Sequence, residues 1–402
     1  MKNNLKITII VLAFIIIGVF IYYYKTKITP FNEGTPTTTE SSIISLPGFQ
    51  IPEGFLFSIF AKNVPGARAI ELDPKGRVVV SETGEGKIVM LSDTNNDFIT
   101  DEQKTLLSGL EKPHGLAFNC NNLNDACFLY VAEASTLSRY SYDAQTLILG
   151  PKEKLMEISS SLGDRHFTRS LLFLPSPNEN TLLVSVGSSC DVCHEKDAEH
   201  ATVLSYNIKT GKKEVYAKGL RNSVFMTLNP VSGKVFATEM GRDNLGDNLP
   251  PDEINIIEKG NNYGWPICYG KNIHDTKFDK NTYIRNPCME PFETSSFIDL
   301  QAHSAPLGLS FIPKVGWPKE YQHNLLVAYH GSWNRSIPTG YKIVRLKMDA
   351  QGKYLGVEDF ITGWMTNEGK KIGRPVDIEI LPNGTAYISD DSSGAIYVLR
   401  VK

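Results

Sequence analysis

Six places in this 402-residue chain set an arginine or a histidine just ahead of an apolar run. They are Arg68, His114, Arg165 with His166, Arg221 with Asn222, His303 and Arg374. Arginine offers a planar fork of donors that matches a carboxylate, and histidine changes charge near neutral pH. Asp164 is the one acid standing among them. If the six places share one mouth, the chemistry on offer is the capture of an anion, and carboxylates suit it best.

Two further stretches have the spacing of a cofactor or metal site. Cys190-Asp191-Val192-Cys193-His194 matches the attachment pattern of a c-type haem. A haem also needs a second axial ligand and usually a helical apolar surround, whereas this stretch follows the β-like run TLLVSVGSS. A loop-forming disulfide is the expectation. DTNNDFITDE, from Asp93, spaces Asp93, Asn95, Asp97 and Asp101 like the start of a calcium loop. Phe98 holds the place where such loops need glycine, and the closing glutamate is missing, so a solvated turn is expected.

The positioning elements come from a repeat. Six segments share an apolar strand, a Pro/Gly/Asn turn and a second apolar strand. They begin at Ala67, His114, Arg169, Val224, Leu307 and Val376. A third strand follows each: KIVML, LSRYSYD, VLSYNI, EINIIEKG, YKIVRLKMD and AIYVLRV. Period-two alternation and β-branched enrichment favour strands over helices. Equivalent positions at Glu82, Glu133, Gly187, Glu239, His330 and Asp390 lie 51, 54, 52, 91 and 60 residues apart. A period near 50 with several strands per unit means propeller blades. The long interval leaves about 40 residues for an insertion on one face, holding Cys268 and Cys288. FLFSIFA, from Phe55, is a lone strand that would complete the last blade and remove its open edge. The phase of the repeat then brings the six basic places to one end of a central channel.

The N-terminus sets the expected compartment. Ile7 to Tyr24 is an almost unbroken apolar run, long enough as a helix for the core of a bilayer. Lysines flank it, no small-residue cleavage site follows, and three tyrosines close it like an interfacial belt. The reading is an uncleaved transmembrane signal anchor over residues 1–28, a Thr/Ser-rich tether over 29–48 and a propeller over 49–402. The fold class expected is all-β, a six-bladed β-propeller behind an N-terminal transmembrane helix. The propeller would stand outside the cytoplasm, periplasmic or at the cell surface. Six cysteines fall as near neighbours, Cys120/Cys127, Cys190/Cys193 and Cys268/Cys288, which suits local disulfides in an oxidising compartment. Many other connectivities remain open. With 41 Lys+Arg against 44 Asp+Glu, the chain is no polybasic nucleic-acid binder.

The stretch GLRNSVFMTLNPVSGKVFATEMGRDNLGDNLPPDEINIIEKGNNYGWP resembles the soluble quinoprotein sugar dehydrogenases of the glucose, aldose-sugar and sorbosone kind. RHFTRSLLF, HSAPLGLSF, HGSWNRS and GRPVDIEILPNG resemble further blocks, closest to the sorbosone dehydrogenase-like branch. The resemblance covers about residues 50 to 400. It implies a propeller that binds pyrroloquinoline quinone (PQQ) and Ca2+ and oxidises an aldose or related aldehyde. His166 then matches the general base, and Arg221 and Asn222 match residues that hold the cofactor. Gly241 and Arg242 match a turn whose carbonyls hold calcium. Glu253 and Tyr263 match a second calcium position. The CxxC stands where sorbosone-like members also carry one, which favours the disulfide.

The chain departs from the family in two places. Where glucose and aldose-sugar members present a lysine, this chain reads His330-Gly331-Ser332-Trp333-Asn334-Arg335, leaving His330 or Arg335 to replace it. An R-x-R-D block appears as Arg374-Pro375-Val376-Asp377, with one arginine. The partners implied are a small-molecule sugar, an external electron acceptor such as a quinone or cytochrome, and the membrane through the N-terminal helix. The alternative expectation is a non-catalytic, membrane-tethered propeller that binds a carbohydrate or a protein.

Overall fold

The computed structural model describes residues 46–121, 126–160, 164–291 and 293–402. The anchor read at Ile7 to Tyr24, and the tether up to Ser45, lie outside the described residues. Among the described residues, no helix is long and apolar enough to cross a membrane.

The sequence repeat becomes six antiparallel sheets, each with at least four strands in meander order. Their innermost strands are Ala67–Leu72, Leu116–Asn121, Leu171–Phe173, Met226–Leu228, Pro306–Phe311 and Pro375–Ile380. The last sheet takes its outermost strand from the other end of the chain. Phe55–Ala61 pairs antiparallel with Ala395–Val401, with Phe57 opposite Leu399. This closes the ring as expected, and no sheet relies on a neighbouring molecule to cover that edge. Leu46, the first described residue, donates its N–H to the Phe57 carbonyl.

Each sheet is buried on both faces, which explains the apolar runs in its second strand. In Val78–Glu82, Val78 and Val80 pack toward the sixth blade while Val79 packs toward the second. In Ala126–Ala132, Leu129 and Val131 face the first blade while Tyr130 and Ala132 face the third. The alternation of a strand therefore assigns successive side chains to two different cores. The seam between the fifth and sixth blades is the most aromatic, with Phe55, Phe57, Trp317, Phe360, Trp364 and Tyr397 together.

The insertion lies between Asp252–Ile257 and Ile298–Leu300 of the fourth blade. It carries a small hairpin, Cys268–Tyr269 against Ile273–His274. Disulfides join Cys120 to Cys127, Cys190 to Cys193 and Cys268 to Cys288, the three local pairs expected.

Candidate active site

The second strand of each blade ends where the first begins, so the loops of both meet at one mouth. Ala67 pairs with Glu82, Pro306 with Tyr329 and Pro375 with Asp390. That register gathers the basic residues named from the sequence. It also brings acids that the sequence reading left out, from the loops after the second strands.

The first cluster centres on the third and fourth blades. His166 places Nδ1 3.0 Å from both the carbonyl and the hydroxyl oxygen of Ser188. Arg221 is 2% exposed. Its Nε donates to the Asp191 carbonyl at 2.9 Å, and a terminal nitrogen donates to Asp191 Oδ1 at 2.7 Å. The same nitrogen lies 3.3 Å from Asp243 Oδ2, which Arg165 also grips. Asn334 reaches in from the fifth blade and donates to Asp243 Oδ1 at 3.0 Å. Asn222 is buried, and its Oδ1 has no partner. Gly187 makes this proximity possible. A Cβ there would stand 2.5 Å from the His166 Cβ and 2.8 Å from Asn222 Oδ1.

Burial is the main force on His166 and holds its pKa down to about 3, with Arg221 acting in the same direction. The ring is therefore neutral at physiological pH, as a proton acceptor must be. Burial pushes Asp191 upward, but the Asp243 N–H and Arg221 outweigh it and hold the carboxyl below its ordinary value.

The second cluster lies beside the first. A cavity of about 20 Å³ is lined by Glu239, Gly241, Arg242, Glu253 and Tyr263, with Arg221 at its edge. This is room for a single ion or water. Glu239 Oε1 accepts from the Asn222 N–H at 2.8 Å, while its Oε2 is buried without a partner. Burial raises the Glu239 carboxyl well above its usual range and pushes Glu253 up to about 7. Two buried acids with one free oxygen suit a cation that would restore their charge. The four residues named for metal thus come together, and Glu239 joins them. From the sequence Glu239 marks a repeat position and carries no metal role. All three side chains among the four are already engaged: Arg242 donates to Asp275 at 2.8 Å, the Tyr263 hydroxyl donates to the Ile256 carbonyl, and Glu253 accepts from the Gly270 N–H at 2.6 Å and from Asn255 Nδ2 at 2.9 Å.

The remaining candidates are arranged differently from expectation. His330 offers no cation at neutral pH. Its Nε2 is 2.9 Å from Asp391 Oδ1, and burial lowers its pKa to about 4 despite that carboxylate, so it is neutral at pH 7. Arg68 donates to the other oxygen of Asp391 at 3.1 Å. Arg374 donates to the carbonyls of His330 and Gly331 at 3.1 and 2.6 Å. Arg335 sits at the rim, reaching the Ala302 carbonyl at 3.3 Å. His303 clamps a loop through Nε2, 2.8 Å from the Gly246 carbonyl. His114 is fully buried, with neither ring nitrogen partnered. The mouth is therefore not the nearly acid-free basic ring read from the sequence. Asp191, Asp243 and Asp391 pair with Arg221, Arg165 and Arg68.

The two minor motifs fold as a disulfide loop and a hydrogen-bonded turn. The Cys190 and Cys193 sulfurs are bonded to each other, which leaves no thiols for a haem. In the Asp93 stretch the carboxylates accept turn N–H groups, as at Phe98 N to Asp93 Oδ2, 2.8 Å. Phe98 adopts φ 65° beneath the Arg400 guanidinium.

A model of the family described as TrAA12-like matches residues 49–402. An uncharacterized protein of Borreliella burgdorferi is 33% identical over 93% of this chain and 96% of its own length. A pyrroloquinoline quinone-dependent sugar dehydrogenase of Hypocrea jecorina is 26% identical, covering 90% of this chain and 92% of that one. Among solved structures, the Trichoderma reesei family AA12 enzyme superposes with a TM-score of 0.74 at 22% identity, over 89% of this chain and 98% of that one. The holo PQQ domain of Coprinopsis cinerea pyranose dehydrogenase gives 0.72 at 20% identity, over 88% and 97%. At these identities the superpositions speak for the fold alone.

Proposed function

The chain belongs to the TrAA12-like family, and from that premise we propose that it oxidises an aldose sugar or a related, sorbosone-like aldehyde with PQQ and calcium. The observation that carries this reading is the His166–Asn222–Arg221 arrangement. A neutral imidazole, an unpartnered amide oxygen and a braced guanidinium share one mouth next to a cavity of ion size.

The residues present fit the implied groups. Arg221, Asn222 and Arg374 would hold the cofactor's carboxylates and quinone oxygens, with Arg335 at the rim. The carbonyls of Gly241 and Arg242 would take calcium, and Glu253, Tyr263 and Glu239 would form a second cation position. PQQ, when bound, supplies a two-electron acceptor for hydride, and calcium polarises it. His166 takes the proton from the substrate hydroxyl, a task suited to a neutral ring. Arg221 stabilises negative charge at the mouth. Asp243 and Asn334 keep the guanidinium and the rim loop in place.

The reading includes a propeller held outside the cytoplasm by the N-terminal anchor and an external electron acceptor. Three disulfides in the chain support an oxidising surround. The neutral His330, standing where other family members present lysine, favours the alternative of a non-catalytic binding propeller. Dye reduction by the protein supplied with PQQ and calcium, across a panel of aldoses and aldehydes, separates the two. Turnover with at least one sugar is expected; PQQ binding without turnover on any, or no PQQ binding, would leave only the binding propeller.

A further inference from the structure

We infer that the small ring closed by the Cys190–Cys193 disulfide is the positioning element for both His166 and Arg221. The inference rests on the reading of His166 as the base, and it adds which atom is basic and what holds it so.

The ring touches Arg221 directly and reaches His166 through Ser188. Ser188, fully buried, sits just ahead of it. Its hydroxyl donates to the Cys190 carbonyl at 2.6 Å, and its N–H donates to the Arg221 carbonyl at 2.7 Å. Its own carbonyl and hydroxyl oxygens stand 3.0 Å from His166 Nδ1. One residue into the ring, Asp191 accepts twice from the Arg221 guanidinium and once from the Asp243 N–H at 2.9 Å. Past the ring, Glu195 accepts from the Ser189 N–H at 2.8 Å and from its hydroxyl at 2.6 Å. The Ser189 carbonyl in turn accepts from the Arg165 N–H at 2.9 Å.

These contacts fix the histidine's tautomer. A carbonyl oxygen can only accept, so the neutral ring must carry its proton on Nδ1. The Ser188 hydroxyl has committed its hydrogen to Cys190, so it too faces Nδ1 as an acceptor. The lone pair is left on Nε2. Burial first, then Arg221 and Arg165, disfavour a second proton on the ring, and the Ser188 carbonyl and Asp191 oppose them. Ser188 is thus a positioning residue: it acts through His166 and not on substrate. Asp191 plays the same part for Arg221. Without the disulfide, the Cys190 carbonyl and the Asp191 carboxylate would be free to move apart, and both anchors would loosen together.

The test is a nitrogen-15 NMR measurement on the full-length protein labelled at histidine, with no cofactor added. His166 is assigned by the signal lost in His166→Gln. The expected result is a protonated Nδ1 and an unprotonated Nε2 between pH 5 and 8. A protonated Nε2 would overturn the proposal. The pair Cys190→Ser with Cys193→Ser should shift the ring to a mixture of tautomers, whereas Ser188→Ala, which keeps the backbone carbonyl, should leave Nδ1 protonated. Asp191→Ala should leave the tautomer alone and raise the PQQ Kd about tenfold, the scale of a lost charge-assisted contact. An unchanged tautomer in the disulfide-free protein would refute the ring's role. If wild type binds no PQQ, the sugar reading fails, yet the tautomer result still decides this inference.

Discussion

The two ends of the central channel are built on the same six strands and carry opposite chemistry. At the mouth stand Arg68, Arg221 and Arg374, each braced by a carboxylate or by carbonyls from a neighbouring loop. Further along the same strands, Glu71, Asp377 and Glu379 line a cavity of about 310 Å³ with Ser170, Thr227 and Ser310. No cation pairs with Glu71 or Glu379 there among the ion pairs of the described residues. Burial, the main cause, pushes Glu71 and Asp377 up to about 7 and Glu379 well above its usual range. The difference lies in where partners come from. Loops at the mouth reach across and compensate charge. At the far side no ion pair among the described residues reaches Glu71 or Glu379, so these acids are driven toward neutrality. On the reading proposed above, the anionic cofactor would be held at the end where arginines are braced.

The sharpest way to break this contrast is at His166. His166→Gln keeps a polar group and removes the proton acceptor. Turnover should fall by about 10²–10⁴-fold, while PQQ and calcium still bind. Retention of more than about a tenth of wild-type kcat would remove the histidine from the role of base. The ring also has a pH signature. Its pKa of about 3 in the fold lies below the free value of 6.5. Its contribution to stability is present above pH 6.5 and is lost as pH falls toward 3. The acid limb of turnover should therefore lie well below the free histidine value.

Arg221→Ala comes next, with a loss of about 1.5–3 kcal/mol in PQQ affinity, measured by calorimetry. An equal loss for Arg335→Ala, whose side chain reaches only a carbonyl and an amide at the rim, would erase the distinction between braced and rim arginines.

The smallest effect belongs to the acidic end. Glu71 has its pKa raised above the free value of 4.5 to about 7, so its stabilising protonation is lost as pH rises through that window. Glu71→Gln should therefore stabilise the protein by about 1–2 kcal/mol at pH 8 and change little at pH 5. Urea unfolding at the two pH values reads this directly. Equal effects at both would mean that the far end is as well compensated as the mouth.

The blades were legible because repetition exposes them: the in-phase positions Glu82 to Asp390 all fall at or just beyond the end of a second strand. The closing strand from Phe55 was legible for the same reason, as an unpaired apolar run. His166, Arg221 and Asn222 could be read from their phase and their motif. Their acidic partners could not, because Asp191, Asp243 and Asp391 reach the mouth from loops whose path no periodicity records. The neutrality of His330 was hidden likewise, since it follows from burial beside Asp391 and not from residue type. Glu239 was visible as a letter in a motif, but its lack of a partner is a property of the folded interior.

The most direct test of the basic mouth is a calorimetric titration of the wild-type protein with PQQ in the presence of calcium. Saturable binding at one site per chain is the predicted result, weakened by Arg221→Ala and unaffected by Glu71→Gln. No binding by wild type, or binding that Glu71→Gln alone abolishes, would contradict the account.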